Sequence, residues 1–436
     1  MYIAVDDTDS RSGMCTTYLA TELISEFAEY QLLGYPRLVR LNPNVPWKTR
    51  GNGALVMEFG KGVTKIDHVG YVSQDVFTWE GDPCIKDEIL ERAVDVVSRW
   101  AQTDQEETNP GIIFGNQRPD PELYHRGVKD ILHLQDVLTI LKSTDLSYQG
   151  MGNRRGLIGA AAALSWIPHD FTYELIAYRH RDNWGRTRNI NDQDVKTFQE
   201  NTEFTFDSYD HTENKQTIAP TSPCPVLYGV RGEEPMELKK ALDLIGSEEP
   251  CRHLTFLTNQ GTDDHIQPKT IEHLRPYISA QIRSRVVTEP ETMEGGHVFF
   301  EIKDDTGAVT AAAYEPTKSF RDVIKELAVG DEIELWGGVR KEPLTLNIEK
   351  IKINKLVDKR VKISNPACPS CGKNMSSIGK NAGFRCKTCS KKVGEDAVPM
   401  KTVPRNISEA HYEVPVVARR HLSKPLVRSF GEKGYS

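Results

Sequence analysis

The stretch MYIAVDDTDSRSGMCTTYLA, residues 1–20, decides the reading of the chain. YIAV is a short apolar run of strand type, and it leads straight into Asp6, Asp7 and Asp9. Three carboxylates within four residues repel one another, so a fold that keeps them together needs a cation between them, and a divalent metal is the simplest one. Gly13 marks a turn. Beyond it, Leu19, Leu23 and Phe27 recur every four residues with Ala20 and Ile24 beside them, which predicts a helix over 14–29. A strand, an acidic turn and a helix in this order place carboxylates at the end of the strand and Thr16 and Thr17 in the first helical turn, where metals, phosphates and the helix dipole meet. Read alone, the acidic run also fits turn or capping carboxylates, and Thr17 also fits a first-turn capping hydroxyl.

Working outward, RLVRL (37–41) and GALVMEFG (53–60) read as strands, and GIIF (111–114) as another. Ile89, Ala93, Val97 and Trp100 define one face of a second helix over 89–101. Alternation of strands and helices makes residues 1–118 an α/β domain. Between two of its strands lies NPNVPWKTRGNGAL (42–55), in which Lys48 and Arg50 can neutralise phosphate oxygens while Gly51 and Gly53 let the backbone approach a ligand. No Walker A sequence occurs, so an ordinary P-loop is excluded. Together the acidic and basic motifs read as a nucleotide site. After the proline-bearing NQRPDPELYHRG (116–127), the helical GLIGAAAAL and the strands in YELIAYR and HLTFLTNQGTDDH form a second α/β or α+β unit over 119–280.

From residue 281 the pattern turns to short strands. RVVT, GHVFFEIK, GAVTAAAYEP, DEIELWGG and LTLNIEKIKI, with the helical SFRDVIKEL before the fourth, follow the order of an OB-fold over 281–357, a barrel that commonly binds oligonucleotides. Next come CPSC and CKTC. Cys368, Cys371, Cys386 and Cys389 have the paired-knuckle spacing of a tetrahedral structural zinc site, and four thiolates leave no open position for a substrate. Cys15, Cys84, Cys224 and Cys251 are scattered and read as incidental thiols. The unit 358–436 ends in a run with Arg419, Arg420, His421, Lys424 and Arg428, read as a phosphate-contacting segment whose removal weakens RNA binding and spares the nucleotide site. A net charge of −7 over 436 residues argues against nucleic-acid binding by the whole surface, and no apolar stretch approaches the roughly 20 residues that span a bilayer. With no signal-peptide pattern after Met1, a cytoplasmic location is expected.

IAVDDTDSRSGMCTTYLA, NPNVPWKTRGNGAL, TNPGIIF, GNRRGLIGA, LTNQGTDDH and ARRHLSKPL closely resemble the archaeal tRNA 2-agmatinylcytidine synthetase family, over nearly the whole chain. The resemblance implies a kinase-like domain, a ferredoxin-like domain, an OB-fold and a zinc ribbon. It further implies a ligase that uses ATP to phosphorylate the 2-oxo group of the wobble cytidine in the CAU-anticodon isoleucine tRNA. Agmatine's amine then displaces the phosphate, and ATP ends as AMP and phosphate. By position, Thr16 becomes phosphorylated during turnover, Asp6, Asp7 and Asp9 hold magnesium, and Lys48 and Arg50 offset developing charge. For agmatine, a dication, the acidic Asp207 and Asp210 are the preferred contacts. One departure stands out: GNRRG carries Arg154 where the family pattern has glycine. Two rival functions remain, an RNA kinase or ligase without agmatine and a tRNA-binding protein without chemistry.

Overall fold

A computed structural model describes residues 1–49, 51–83, 89–379 and 382–430. Its first 115 residues run β1 (Tyr2–Asp6), α1 (Thr16–Glu26), β2 (Gln31–Leu33), β3 (Arg37–Arg40), β4 (Gly53–Tyr71), β5 (Asp75–Pro83), α2 (Ile89–Trp100) and β6 (Gly111–Gly115). β1 sits between β4 and β6, antiparallel to both. Its alternation sends Ile3 and Val5 into the core under α1 and α2, and Ala4 into a second core on the opposite face with Leu157, Ala160 and Ala161 of the helix Gly156–Leu164. Cover on both faces explains why the strand is apolar at every interior position.

The expected helix over 14–29 is shorter at both ends. Met14 adopts φ 57° and Cys15 is extended at φ −154°, so helical geometry begins only at Thr16, and Phe27 is the C-cap. That late start buries the side chains of Thr16 and Thr17 in the first turn.

The two α/β units share one sheet. Arg252–Thr258 runs parallel to β3 on one side and antiparallel to Thr172–Tyr178 on the other, and Val226–Gly232 continues the sheet beyond. Ser147–Gly150 closes the far side against β6.

Five OB strands are present, and the first, Ser279–Val286, lies earlier than the expected RVVT, of which only Arg285 and Val286 are in the strand. Ser279–Val286 pairs with Glu332–Arg340, which pairs with Thr345–Lys355; the latter lies parallel to Ala308–Ala313, which pairs with Val298–Lys303. Pairing of Arg285 with Lys303 and of Val286 with Ile302 closes the barrel. Its interior is an apolar cluster that includes Ile282, Phe300, Leu335 and Ile351, and the helix Phe320–Lys325 lies before the fourth strand. The ribbon that follows holds three strands of two residues each around Phe384 and Met375.

The end of the described chain doubles back. His411–Glu413 adds to Thr345–Lys355 of the barrel. The segment then crosses to the large sheet, where Leu422 is buried with Val39, Leu41 and Ala162. The backbone N–H of Gly261 donates to His421 O at 2.8 Å, and that of Asp263 donates to Leu422 O at 2.8 Å. The basic run is therefore not a solvated tail awaiting RNA. Arg419 pairs with Asp207 and, at 2.5 Å, with Glu413; Arg420 reaches Glu349 at 3.1 Å; Lys424 reaches Asp170 at 2.9 Å; Arg428 pairs with Asp170 and with Glu233 at 2.9 Å. Its charge is neutralised by carboxylates of the second α/β unit and the barrel and by Glu413 of the segment itself.

Candidate active site

Asp6 ends β1, and the chain turns sharply there because Asp7 takes φ 60°, in the left-handed region. The turn is packed from behind by the helix Gly156–Leu164. A Cβ on Gly159 would lie 1.8 Å from Asp6 Oδ2, and one on Gly156 would lie 2.6 Å from Asp6 O, so only glycines allow the helix this close to the carboxylate. Arg155, just before that helix, binds Asp7 Oδ2 through Nη2 at 2.9 Å and Nε at 3.2 Å. From the loop between β3 and β4, the Thr49 hydroxyl donates to Asp9 Oδ1 at 2.9 Å. Two elements far apart in sequence thus clamp the acidic turn.

These groups open into a cavity of about 450 Å³. Asp6, Asp7, Asp9, Thr16, Lys48, Gly51 and Gly53 all line it, so the structure brings together most of the residues singled out from sequence. Gly13 stands behind the turn instead: its carbonyl accepts from Ser10 N at 3.1 Å, and a Cβ there would meet Gln102 at 3.3 Å. Arg50 lies outside the described residues. Asp207 and Asp210 are not among the lining residues. Asp207 is engaged by Arg419, while Asp210, 1% exposed, accepts from the backbone N–H groups of Thr212, Glu213 and Val417. A buried carboxylate engaged this way holds chain in place.

One side of the cavity is acidic. Burial and the neighbouring Asp7 push the Asp6 carboxyl up to about 8, and burial raises Asp7 to about 6 against the pull of Arg155. Such carboxyls favour a bound cation, and hard oxygen donors at the end of a strand suit magnesium. The opposite side is basic. Glu174, 4% exposed, accepts from Arg231 Nε at 3.2 Å and from Gln260 Nε2 at 2.5 Å, and lies 3.7 Å from Arg40 Nη2. Two guanidiniums on one carboxylate leave a net positive charge, to which Lys48 adds. Burial and the nearby Arg420 lower the Lys48 ammonium to about 8. Phosphates would fit between two such walls, with guanidiniums on one side and carboxyls able to take a cation on the other.

Arg40, Glu174, Arg231, Arg155, Gly159 and His421 escaped the reading of the sequence as parts of this cavity. Among them only Arg155 has a sequence signal, since it follows the anomalous Arg154. That residue has φ 63°, a backbone conformation that favours glycine, while its own side chain is exposed. Of the scattered thiols, Cys15 and Cys224 line the cavity, and Cys84 lies outside the described residues. The four ribbon cysteines place their sulfurs within 4.8 Å of one another, a donor set that fits tetrahedral zinc.

A cavity with opposed acidic and basic walls, built on a shared sheet and joined to an OB barrel and a four-cysteine ribbon, defines the class: a multidomain protein pairing a phosphate-handling site with nucleic-acid-binding modules. Family models match in the same order. They are the TiaS TCKD domain over residues 2–153, the TiaS FLD domain over 154–265, an OB-fold nucleic acid binding domain over 280–354 and the TiaS C-terminal zinc ribbon domain over 365–407. The isoleucine-tRNA 2-agmatinylcytidine synthetase TiaS of Methanocaldococcus jannaschii is 40% identical over 438 residues, covering 98% of both chains, and that of Archaeoglobus fulgidus is 40% identical over 440 residues, covering 98% of this chain and 97% of the relative. Among solved structures, a complex of TiaS with isoleucine tRNA and ATP superposes with a TM-score of 0.81 at 38% identity, covering 98% of this chain and 97% of the other. A complex of TiaS with isoleucine tRNA, AMPCPP and agmatine gives 0.81 at 34%, covering 100% and 98%. The chain belongs to the TiaS family.

Proposed function

We propose that this protein joins agmatine to C2 of the wobble cytidine of the CAU-anticodon isoleucine tRNA, consuming ATP and one water and giving 2-agmatinylcytidine, AMP and two phosphates, one of which carries away the cytidine 2-oxygen. The observation that carries the reading is the meeting of Asp6, Asp7, Asp9 and Thr16 with Lys48, Arg40 and Arg231 around one cavity, in a chain similar to the TiaS relatives over nearly its full length. A pyrimidine carbonyl is a poor electrophile until its oxygen becomes a leaving group, so phosphorylation must precede attack by the amine. Phosphoryl transfer depends on position and charge more than on covalent chemistry, and the two walls meet that need.

Asp6, Asp7 and Asp9 would hold magnesium, which when bound supplies charge neutralisation at the phosphates. Thr16 would accept a phosphoryl group, a role supported by its burial in the first turn of α1 on the cavity wall. Lys48, Arg40 and Arg231 balance phosphate charge. The placement of Asp207 and Asp210 lends no support to an agmatine-binding role. Zinc on Cys368, Cys371, Cys386 and Cys389 has a structural part. No helix among the described residues is long and apolar enough to cross a membrane. A tRNA substrate is met in the cytoplasm, and the reading places the protein there.

The test is incubation of the full chain with ATP, magnesium, agmatine and a transcript of the CAU-anticodon isoleucine tRNA, followed by nucleoside mass analysis. Agmatine-dependent modification is expected, lost in Thr16→Ala and at least partly kept in Thr16→Ser. A phosphorylated RNA that accumulates without need of agmatine favours the RNA kinase, and absence of ATP turnover favours the binding module. Full activity of Thr16→Ala removes the covalent role of that residue.

A further inference from the structure

Of the basic residues at 419–428, Arg419, Arg420, Lys424 and Arg428 are each held by a carboxylate. His421 is the exception: neither ring nitrogen has a hydrogen-bond partner among the described residues, and Nδ1 is sealed from solvent. Its ring lies on the wall of the active-site cavity, beside Gly51. Both its Nε2 and Arg40 Nη1 lie 2.9 Å from where a Cβ on Gly51 would stand, so the absent side chain makes room for an imidazole and a guanidinium side by side.

We propose that His421 is a phosphate-contacting residue, supplied to the cavity by the C-terminal segment, whose Nε2–H donates to a phosphoryl oxygen of the nucleotide. This rests on the nucleotide reading of the cavity given above and adds to it a ligand contact delivered from the far end of the chain.

Three observations support it. First, the ring is rigidly presented. Arg420 on one side is tied to Glu349 and, through Nη1 at 2.5 Å, to Asn44; the carbonyl of His421 accepts from Gly261; Leu422 on the other side is buried. Second, the proton is best placed on Nε2. A neutral imidazole has one N–H and one lone pair, and a sealed, unpartnered position tolerates a bare lone pair better than an unmatched N–H. Third, the surroundings call for an anion. Arg40 from β3, Arg231 from Val226–Gly232 and Lys48 from the loop between β3 and β4 act on the ring electrostatically, and Glu174 on Thr172–Tyr178 offsets part of the two arginines. Burial and these three cations hold the imidazole neutral, so it serves as an uncharged donor between charged ones.

The experiment measures binding to the full-length protein, with magnesium and without tRNA, of the β,γ-methylene analogue of ATP, ADP, AMP and adenosine, for the wild type, His421→Ala and His421→Gln. A hydrogen bond to a charged acceptor leads us to expect His421→Ala to weaken the triphosphate analogue about tenfold or more and adenosine less than about twofold. Gln, whose amide N–H reaches close to the place of Nε2, is expected to recover much of the loss. If adenosine and the triphosphate lose affinity equally in the folded Gln variant, or if neither variant changes any affinity, the proposal is overturned. A wild-type protein that binds none of the four ligands overturns the nucleotide reading as well, an outcome distinct from a variant that merely fails to discriminate among them.

Discussion

Asp6 offers the sharpest quantitative test of the acidic wall. Its carboxyl lies against the helix Gly156–Leu164 with Asp7 beside it, and is pushed up to about 8 from an ordinary value of 3.8. In metal-free protein the folded state therefore holds a proton that the unfolded chain releases, so stability falls as pH rises between roughly 4 and 8 and levels off above. At about 1.36 kcal/mol per pH unit while the proton is held, and half of it lost at the midpoint, the contribution falls by about 2 kcal/mol between pH 6 and pH 8. Asp7, raised to about 6, adds a fall confined to lower pH, approximately 4 to 6. Asp6→Asn, isosteric and uncharged, should abolish the fall between pH 6 and 8 and leave the variant more stable than the wild type at pH 8. Denaturant unfolding of the transition assigned to the shared sheet, at pH 6, 7 and 8 in chelator, reads this directly. Repeating it in millimolar magnesium should flatten the wild-type slope, because a bound cation favours the ionised carboxylate, and should leave the Asn variant unchanged. A wild-type slope that persists in Asp6→Asn would refute the buried proton, and one that magnesium leaves untouched in the wild type would refute the metal role.

Other positions test other parts of the structure. Arg154 holds a left-handed backbone conformation with its side chain exposed, so Arg154→Gly should stabilise the protein by about 0.5–1 kcal/mol, read as a raised denaturation midpoint. Arg419→Ala strands Asp207 and Glu413 with side chains 8% and 13% exposed, and should cost about 3–5 kcal/mol, seen in unfolding and in faster proteolysis of the segment 411–430. Cys386→Ser should release zinc, measured with a chromogenic chelator, and unfold the ribbon while the main transition stays in place. Truncation near Asn365, which takes His421 and Leu422 along with the ribbon, should weaken nucleotide binding as well as RNA binding, whereas removal of the ribbon alone should spare the nucleotide.

What could be read from sequence was local. YIAV followed by DDTD and the four-residue spacing of Leu19, Leu23 and Phe27 describe contacts within a few turns of chain, and the two CxxC pairs carry their own geometry. The acidic wall, Thr16 and Lys48 were legible for that reason. Arg40, Glu174 and Arg231 were not, because they sit on three strands that become neighbours only when Arg252–Thr258 fuses two α/β units into one sheet. A charge in a strand looks like a solvated face until its partner, more than a hundred residues away in the case of Arg40 and Glu174, is known. The basic run misled for the same reason: nothing near Arg419 or Arg428 in sequence hints that Asp207, Asp170 and Glu233 neutralise them. Gly159 was visible as one small residue in GLIGAAAAL, but only the structure shows that its missing Cβ is the space Asp6 occupies.

The return of residues 411–430 to the cavity also sets a clock on biosynthesis. Asn44 and Arg420, joined by a hydrogen bond, are 376 residues apart. At about 5–20 residues per second, a ribosome takes on the order of tens of seconds to travel from one to the other. During that interval the loop carrying Lys48 is already outside the ribosome and the wall that His421 and Leu422 complete is missing, so the nascent protein carries an open apolar groove next to an unfinished anion site. Its closure belongs to the last stage of maturation, when the sheet, the barrel and the returning strand are all present to be fastened together.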